Sequence, residues 1–369
     1  MQLTASKETL MLALGRTLGI VGKKTTMPVL SNLLVQGVTN DRFSVTATDL
    51  DIFSRGEYTG LVEGKGKLCV SAKDLHEIVR NLPAGNVQIE AAGDNYVKVS
   101  SGQIVFKIRS VNPSDYPETP GFGEVPYIEV ESKLFKDLIE HTLFSVANDD
   151  PRIFLNGVNV ERIGDNFLRL VSTDGHRLSL IDKDLGVEPK LDHSVIIPRK
   201  GLVELRKLLD EGGEKVKIGF SGSNGFVLSE DLFLVMRLIE GDFPDYNMVI
   251  PKASEKIIAM DRSALQDALK RISILSSERS YGVRFRLGNG ELAIEASSPE
   301  RGEGREVIEA DYSGAELSIG FNARYLLDVI AVIQGDKVLL EMSDELSPCV
   351  VKDPDESGFL SVIMPMRIN

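Results

Sequence analysis

Three copies of one succession of elements run through this chain, and that self-similarity limits its fold more than any motif does. An amphipathic helical stretch opens each copy: "SKETLMLALGRTLGI" (6–20), "SKLFKDLIEHTLFSVA" (132–147) and "RSALQDALKRISIL" (262–275). Each places Ser near its start, as a cap or in the first turn, with apolar residues following at three- and four-residue spacing. A strand-like run comes next ("PVLSNLLVQGV", "PRIFLNGVNV", "YGVRFRL"), then two alternating strands about a turn. A second helix follows, aligned on Leu75, Leu202 and Leu326, and then more strands leading to Pro117, Pro244 and Pro365. Six elements in one order, at a spacing of roughly 125 residues, are not a chance match. The reading is an α+β chain of three repeated domains, 1–122, 127–251 and 252–369, each with two helices on one face of antiparallel sheets.

Composition narrows the class. The longest strongly apolar run, "LLDVIAVI" (326–333), carries an Asp and is too short to cross a bilayer. "MQLTASKETL" lacks the basic and apolar regions of a signal peptide, and Cys69 and Cys349 form no CxxC pair, so a reducing cytoplasm is expected. The net charge of −13 disfavours a polyanionic partner on average, but segregated cations can override an average.

The stretch "STDGHRLSL" (172–180) gathers Ser172, Asp174, His176 and Arg177 within six residues. Alternating apolar residues flank Asp174-Gly175, a strong hairpin-turn signal. The repeat places Thr48-Asp49 at the same point of copy one, without a His. A nucleophilic triad needs side chains converging from a shaped site, which one strand end does not supply. "GIVGKKT" (19–25) lacks the spacing of a phosphate loop, and the four His residues show no metal-ligand spacing. The expectation is a protein with no catalytic residues, metal or cofactor.

Charge on the second helices points elsewhere. Lys73, Lys200 and Arg324 each lie two residues before the aligned Leu, in the first turn, where the helix dipole favours acids. Arg80, Arg199, Arg206 and Lys207 add to the same helices. One cation per repeat on one face suits contact with duplex DNA through its phosphates, without base specificity.

Over its full length the chain resembles the bacterial DNA polymerase III beta-subunit (sliding clamp) family. The resemblance rests on "MPVLSNLL" (27–34), "RIFLNGV" (152–158), "TDGHRL" (173–178), "FPDY" (243–246) and "VIMPMRI" (362–368). It implies a head-to-tail homodimer of three-domain protomers closing a ring around duplex DNA, with helices lining the channel. It also implies partners: the polymerase III alpha subunit, an ATP-driven clamp loader, and other polymerases and repair proteins that bind through short linear motifs. Their pocket, carried over by position, comprises Leu155, Thr173, Gly175, His176, Arg177, Leu178, Pro244, Val249, Leu346, Val362, Met364, Pro365 and Met366, with Arg367 at its edge. Met248 stands where many relatives carry Arg, and Ile368-Asn369 where many end in Leu. The DNA-facing residues carried over are Lys24, Lys73, Arg199, Lys200 and Arg279, and the protomer contact falls on Phe106, Ile274 and Leu275, whose other reading is ordinary core. The competing readings are an enzyme acting on nucleotides, which turnover would reveal, and a stand-alone binding module, which would hold linear and circular DNA equally.

Overall fold

The computed structural model describes residues 1–22, 27–93, 95–118, 121, 125–211, 213–277, 280–288 and 290–368. In copy one the order is β1 (Gln2–Ser6), α1 (Lys7–Gly15), β2 (Asn32–Gly37), β3 (Arg42–Thr48), β4 (Ile52–Thr59), β5 (Leu61–Glu63), β6 (Lys67–Ser71), α2 (Ala72–Asn81), β7 (Asn86–Ala91), β8 (Tyr96–Ser101) and β9 (Ile104–Val111). Copy two has β10 (Tyr127–Glu131), α3 (Ser132–Leu143), β11 (Gly157–Ile163), β12 (Phe167–Thr173), β13 (Arg177–Asp184), β14 (Val195–Pro198), α4 (Arg199–Glu211), β15 (Lys215–Ser221), β16 (Asn224–Ser229) and β17 (Leu232–Arg237). Copy three repeats it: β18 (Lys256–Asp261), α5 (Arg262–Ser273), β19 (Gly282–Gly288), β20 (Glu291–Ser298), β21 (Gly302–Glu309), β22 (Leu317–Asn322), α6 (Ala323–Val332), β23 (Lys337–Met342), β24 (Cys349–Lys352) and β25 (Phe359–Ile363).

Local chemistry sets the helix starts. The Ser6 hydroxyl accepts the Thr9 amide at 3.1 Å, and the Asp261 carboxylate accepts the Ala264 amide at 2.7 Å. Asn322 does the same for Arg324 at 2.9 Å. Each helix buries one stripe, such as Ala72, Leu75 and Val79 of α2 or Leu326, Val329 and Ile330 of α6. Burying each such Leu or Val stabilises the fold by about 1.5–3 kcal/mol. The strand-like runs at Pro28 and Ile153 depart from expectation. Pro28–Ser31 and Ile153–Asn156 are single 3-10 turns that precede β2 and β11. Proline at the first position pre-sets the first turn, and Asn156 closes the second by exchanging two hydrogen bonds with the main chain of Asp150.

Contacts divide the chain into two compact units, residues 1–136 with 200–238, and 137–199 with 239–369, so the middle copy contributes to both. The first unit is built on a thirteen-stranded sheet in which β4 of copy one pairs antiparallel with β17 of copy two, Phe53 opposite Val235. Helices α1 and α2 pack on each other over it. In the second unit an eight-stranded sheet joins copies two and three in the same way, β13 pairing with β25 and Leu178 opposite Val362. A four-stranded sheet, β21-β20-β19-β22, carries α5. Each seam thus extends one sheet across two copies.

Candidate functional site

The turn between β12 and β13 is held by its own side chains. The Thr173 hydroxyl donates to the Arg177 carbonyl at 2.7 Å and accepts the Gly175 amide at 3.1 Å. One carboxylate oxygen of Asp174 accepts the amides of His176 (2.9 Å) and Arg177 (3.0 Å). Copy one repeats this bond for bond, with Thr48 donating to Ile52 at 2.8 Å and Asp49 accepting from Asp51 and Ile52 at 3.1 and 2.7 Å. The residue needing positive φ is Gly175 (+88°) in one copy and Leu50 (+81°) in the other. Ser172 is buried and donates to the Thr142 carbonyl at 2.6 Å, while the His176 side chain is exposed. Ser172, Asp174 and His176 are therefore not joined as a triad.

Arg177 ties this turn to two helices. Its side chain is only 10% exposed and meets Asp174 at 3.1 Å, Asp328 of α6 at 2.5 Å and the Phe144 carbonyl at 2.5 Å. Its guanidinium also lies 4.4 Å from the centre of the Tyr325 ring. Sequence reasoning named Arg177 but missed Tyr325 and Asp328; no local pattern marks them, because they enter from the next copy.

Beside the turn, Leu178 and Val362 are buried in one apolar cluster with Val171, Leu180 and Tyr246, with Phe243 and Ile250 packed against it. Tyr246 was within the quoted "FPDY" but had no assigned role. Its hydroxyl donates to Glu161 and accepts from Arg169 at 3.2 Å. Burial, with Glu161 beside it, pushes the phenol up to about 12, so it stays a donor. From this floor the chain continues past β25. The Met364 amide donates to the His176 carbonyl at 2.9 Å and the Met366 amide to the Gly320 carbonyl at 2.8 Å. The Arg284 guanidinium then grips the Ile368 carbonyl at 2.8 Å. Leu346, Met366 and Arg367 line a cleft of about 490 Å³ with Arg284, Gly320 and Glu345. Several of the apolar side chains named from the sequence are exposed: Met364 is 40% exposed, Val249 44% and Leu346 68%, and Met248 is 83% exposed. Pro244 is exposed beside Phe243, Pro365 is half-buried, and Leu155 is buried where its carbonyl accepts the Ala147 amide at 3.0 Å.

The basic residues are less free than their positions suggested. Lys73 is exposed in the first turn of α2. Arg199 donates to the Leu143 and Val146 carbonyls at 3.1 and 3.3 Å, satisfying the end of α3. Lys200 pairs with the Asp49 carboxylate and donates to the Ile20 carbonyl at 3.2 Å. Lys24 and Arg279 lie outside the described residues. Phe106 on β9 is 40% exposed and Ile274 65%, with Leu275 half-buried against Gly304 of β21; ordinary core does not describe them. Among the described residues, no group of three or more His, Cys, Asp or Glu is placed to hold a metal ion.

Three family models match the chain in succession: the N-terminal domain of the DNA polymerase III beta subunit over residues 1–120, its central domain over 129–245 and its C-terminal domain over 247–367. Among curated proteins, the beta sliding clamps of Pseudomonas putida and Escherichia coli K12 are 36% and 34% identical, over 100% of both chains in each case. Among solved structures, the Pseudomonas aeruginosa DNA polymerase III subunit beta is similar with a TM-score of 0.91 at 34% identity. A Bartonella birtlesii sliding clamp bound to griselimycin gives 0.94 at 30%; both cover 100% of each chain.

Proposed function

Because the chain belongs to the DNA polymerase III beta-subunit family and is a DNA sliding clamp with no catalysis of its own, we propose how its own residues close the ring, face DNA and receive partners. The observation that carries the proposal is a pair of unmatched edges. Each seam joins the strand after the turn of one copy to the last strand of the next: β4 with β17, and β13 with β25. The corresponding strands left over are β21 of copy three, an edge strand paired among the described residues only with β20, and β9 of copy one. Along residues 104–109, β9 pairs among the described residues only with β8, and it exposes Ile104, Val105 and Phe106 there. A third seam between β21 of one protomer and β9 of its partner satisfies both edges, and its repetition gives a closed head-to-tail dimer.

Duplex DNA, the polymerase III alpha subunit, the clamp loader and other motif-bearing proteins are the proposed partners. In the ring, Lys73, with Lys24, Arg199, Lys200 and Arg279, faces the DNA. The Leu178–Val362 cluster and the adjoining Met364–Arg367 segment receive an extended partner peptide. An apolar floor, adaptable methionines at the rim and a few fixed polar groups suit short apolar motifs of varied sequence. The test is solution mass, followed by retention of the loaded protein on nicked circular DNA before and after linearisation. A dimer held on circles and lost from linear DNA is expected. A monomer, or equal retention on both forms, sinks ring closure.

A further inference from the structure

The two internal seams share one register. At the first, Ser54 lies opposite Leu234, and the Glu57 amide donates to Asp231 at 2.9 Å and the Arg237 amide to Asp51 at 2.8 Å. At the second, Ser179 lies opposite Ser361, and Asp182 donates to Gly358 at 3.0 Å and Met364 to His176 at 2.9 Å. Each bond lies three residues from the central pair, so one geometry is used twice.

The ladders inside each copy show which residues of β21 and β9 inherit those places. Ser71, Pro198 and Asn322, each four residues before the aligned Leu, pair with Asn32, Gly157 and Gly282. Two residues on, Leu34, Asn159 and Arg284 pair with Thr46, Val171 and Glu295. These pair in turn with Arg55, Leu180 and Arg305, so Gly304 is the counterpart of Ser54 and Ser179. Lys7, Ser132 and Arg262 donate to the carbonyls of Gly85, Glu214 and Asp336, and four residues beyond those carbonyls lie Ile89, Ile218 and Leu340. They pair with Val99, Val227 and Val351, and these with Phe106, Leu234 and Ser361.

The side chains fit that inheritance. Gly304 pairs with Ala296 and Phe106 with Val99, both buried, so each lies on the core face of its own sheet. A Cβ on Gly304 would meet the Leu275 side chain at 2.8 Å, which leaves a notch opposite a large exposed ring. The next residues, Glu303 and Lys107, are exposed on the outer faces. Among the described residues neither is in an ion pair; Lys107 lies 4.4 Å over the Tyr96 ring.

We propose that the protomer seam repeats this register, with Gly304 opposite the partner's Phe106 and Glu303 opposite the partner's Lys107 as an ion pair. The inference rests on the ring closure proposed above and adds its alignment. It sets Arg301 opposite the partner's Arg109, and Glu303, beside the first and diagonal to the second, offsets their repulsion. Opposite charges facing across a ladder stabilise it and like charges oppose it. A slip of one residue would set the core face of one edge against the outer face of the other.

The dimer dissociation constant of the full-length protein is measured by analytical ultracentrifugation at low ionic strength. Lys107→Glu and Glu303→Lys should each weaken the dimer at least tenfold while remaining folded by circular dichroism. The two together should return it to within about threefold of wild type. Arg109→Glu should rescue Glu303→Lys less well than Lys107→Glu does. A monomeric wild type overturns ring closure itself. A wild-type dimer that either single exchange leaves intact, that the double exchange does not restore, or that Arg109→Glu restores better, keeps ring closure and overturns this register.

Discussion

The Met364 amide donates to the main-chain carbonyl of His176 at 2.9 Å, joining the last strand of copy three to the turn of copy two. The His176 ring itself stays exposed. The backbone of this residue, not its imidazole, therefore extends the β13–β25 pairing to the turn of the candidate pocket.

It follows that His176→Ala should lower partner-peptide affinity only a few-fold. Met364→Ala, which trims a side chain 40% exposed at the rim, should cost about 1–2 kcal/mol. Deleting residues 364–369 should abolish binding of a fluorescent polymerase-tail peptide while leaving a folded dimer, because β25 ends at Ile363. Wild-type affinity in the truncated protein would place the partner site elsewhere.

Arg177→Ala should be costly for a different reason. It strips a side chain 10% exposed from Asp174 and from the Phe144 carbonyl. Asp328, 44% exposed, recovers water and softens the loss. The expected destabilisation is about 2–3 kcal/mol, read from the urea midpoint at unchanged m-value. A midpoint within error of wild type would mean that the knot of contacts carries no net stability.

The basic residues should separate in their salt dependence. Lys73→Ala removes an exposed cation and should lower the slope of log K against log salt for DNA association by about 0.9. Lys200→Ala should lower it less, since Asp49 already offsets that charge. Arg199→Ala should cost about 1 kcal/mol of stability through the lost cap on α3, by thermal melting. An identical slope change for Lys73 and Lys200 would contradict this ordering.

The second seam should respond to pH. His141 is buried, 4.7 Å edge-on to Phe359. Burial opposes its charge, but the Asp137 carboxylate (3.2 Å) and carbonyl (2.9 Å) outweigh that and raise its pKa above the ordinary histidine value, against some repulsion from Lys183. Burial likewise opposes ionisation of Asp137, and hydrogen bonds from His141 and Lys183 hold it at about 2. A raised histidine contributes stability that is complete below its unfolded pKa of about 6.5 and is lost as pH rises through the folded value. A lowered aspartate contributes stability present above about 3.9 and lost as pH falls toward 2. Melting temperature should therefore decline from pH 6 upward in the wild type, and less so in His141→Phe. Parallel profiles for the two proteins would rule His141 out as the cause.

Much of this architecture was legible because it depends on local order. Apolar spacing and the repeat marked the six helices of the described residues, and Asp174-Gly175 announced a turn whose bonds copy one repeats at Thr48-Asp49. The family and its non-catalytic role were readable from stretches such as "TDGHRL" and "VIMPMRI". Local pattern did not show which charges are spent inside the protein. Lys200 meets Asp49, Arg177 meets Asp328, and Arg199 closes the end of α3, each across a long separation in sequence. Nor could it show that Lys183 meets both Asp137 and Glu356 where copies two and three join. Periodicity specifies which face of an element is buried; only the folded chain specifies which distant residue that face meets, and ion pairs and cavities depend on that meeting.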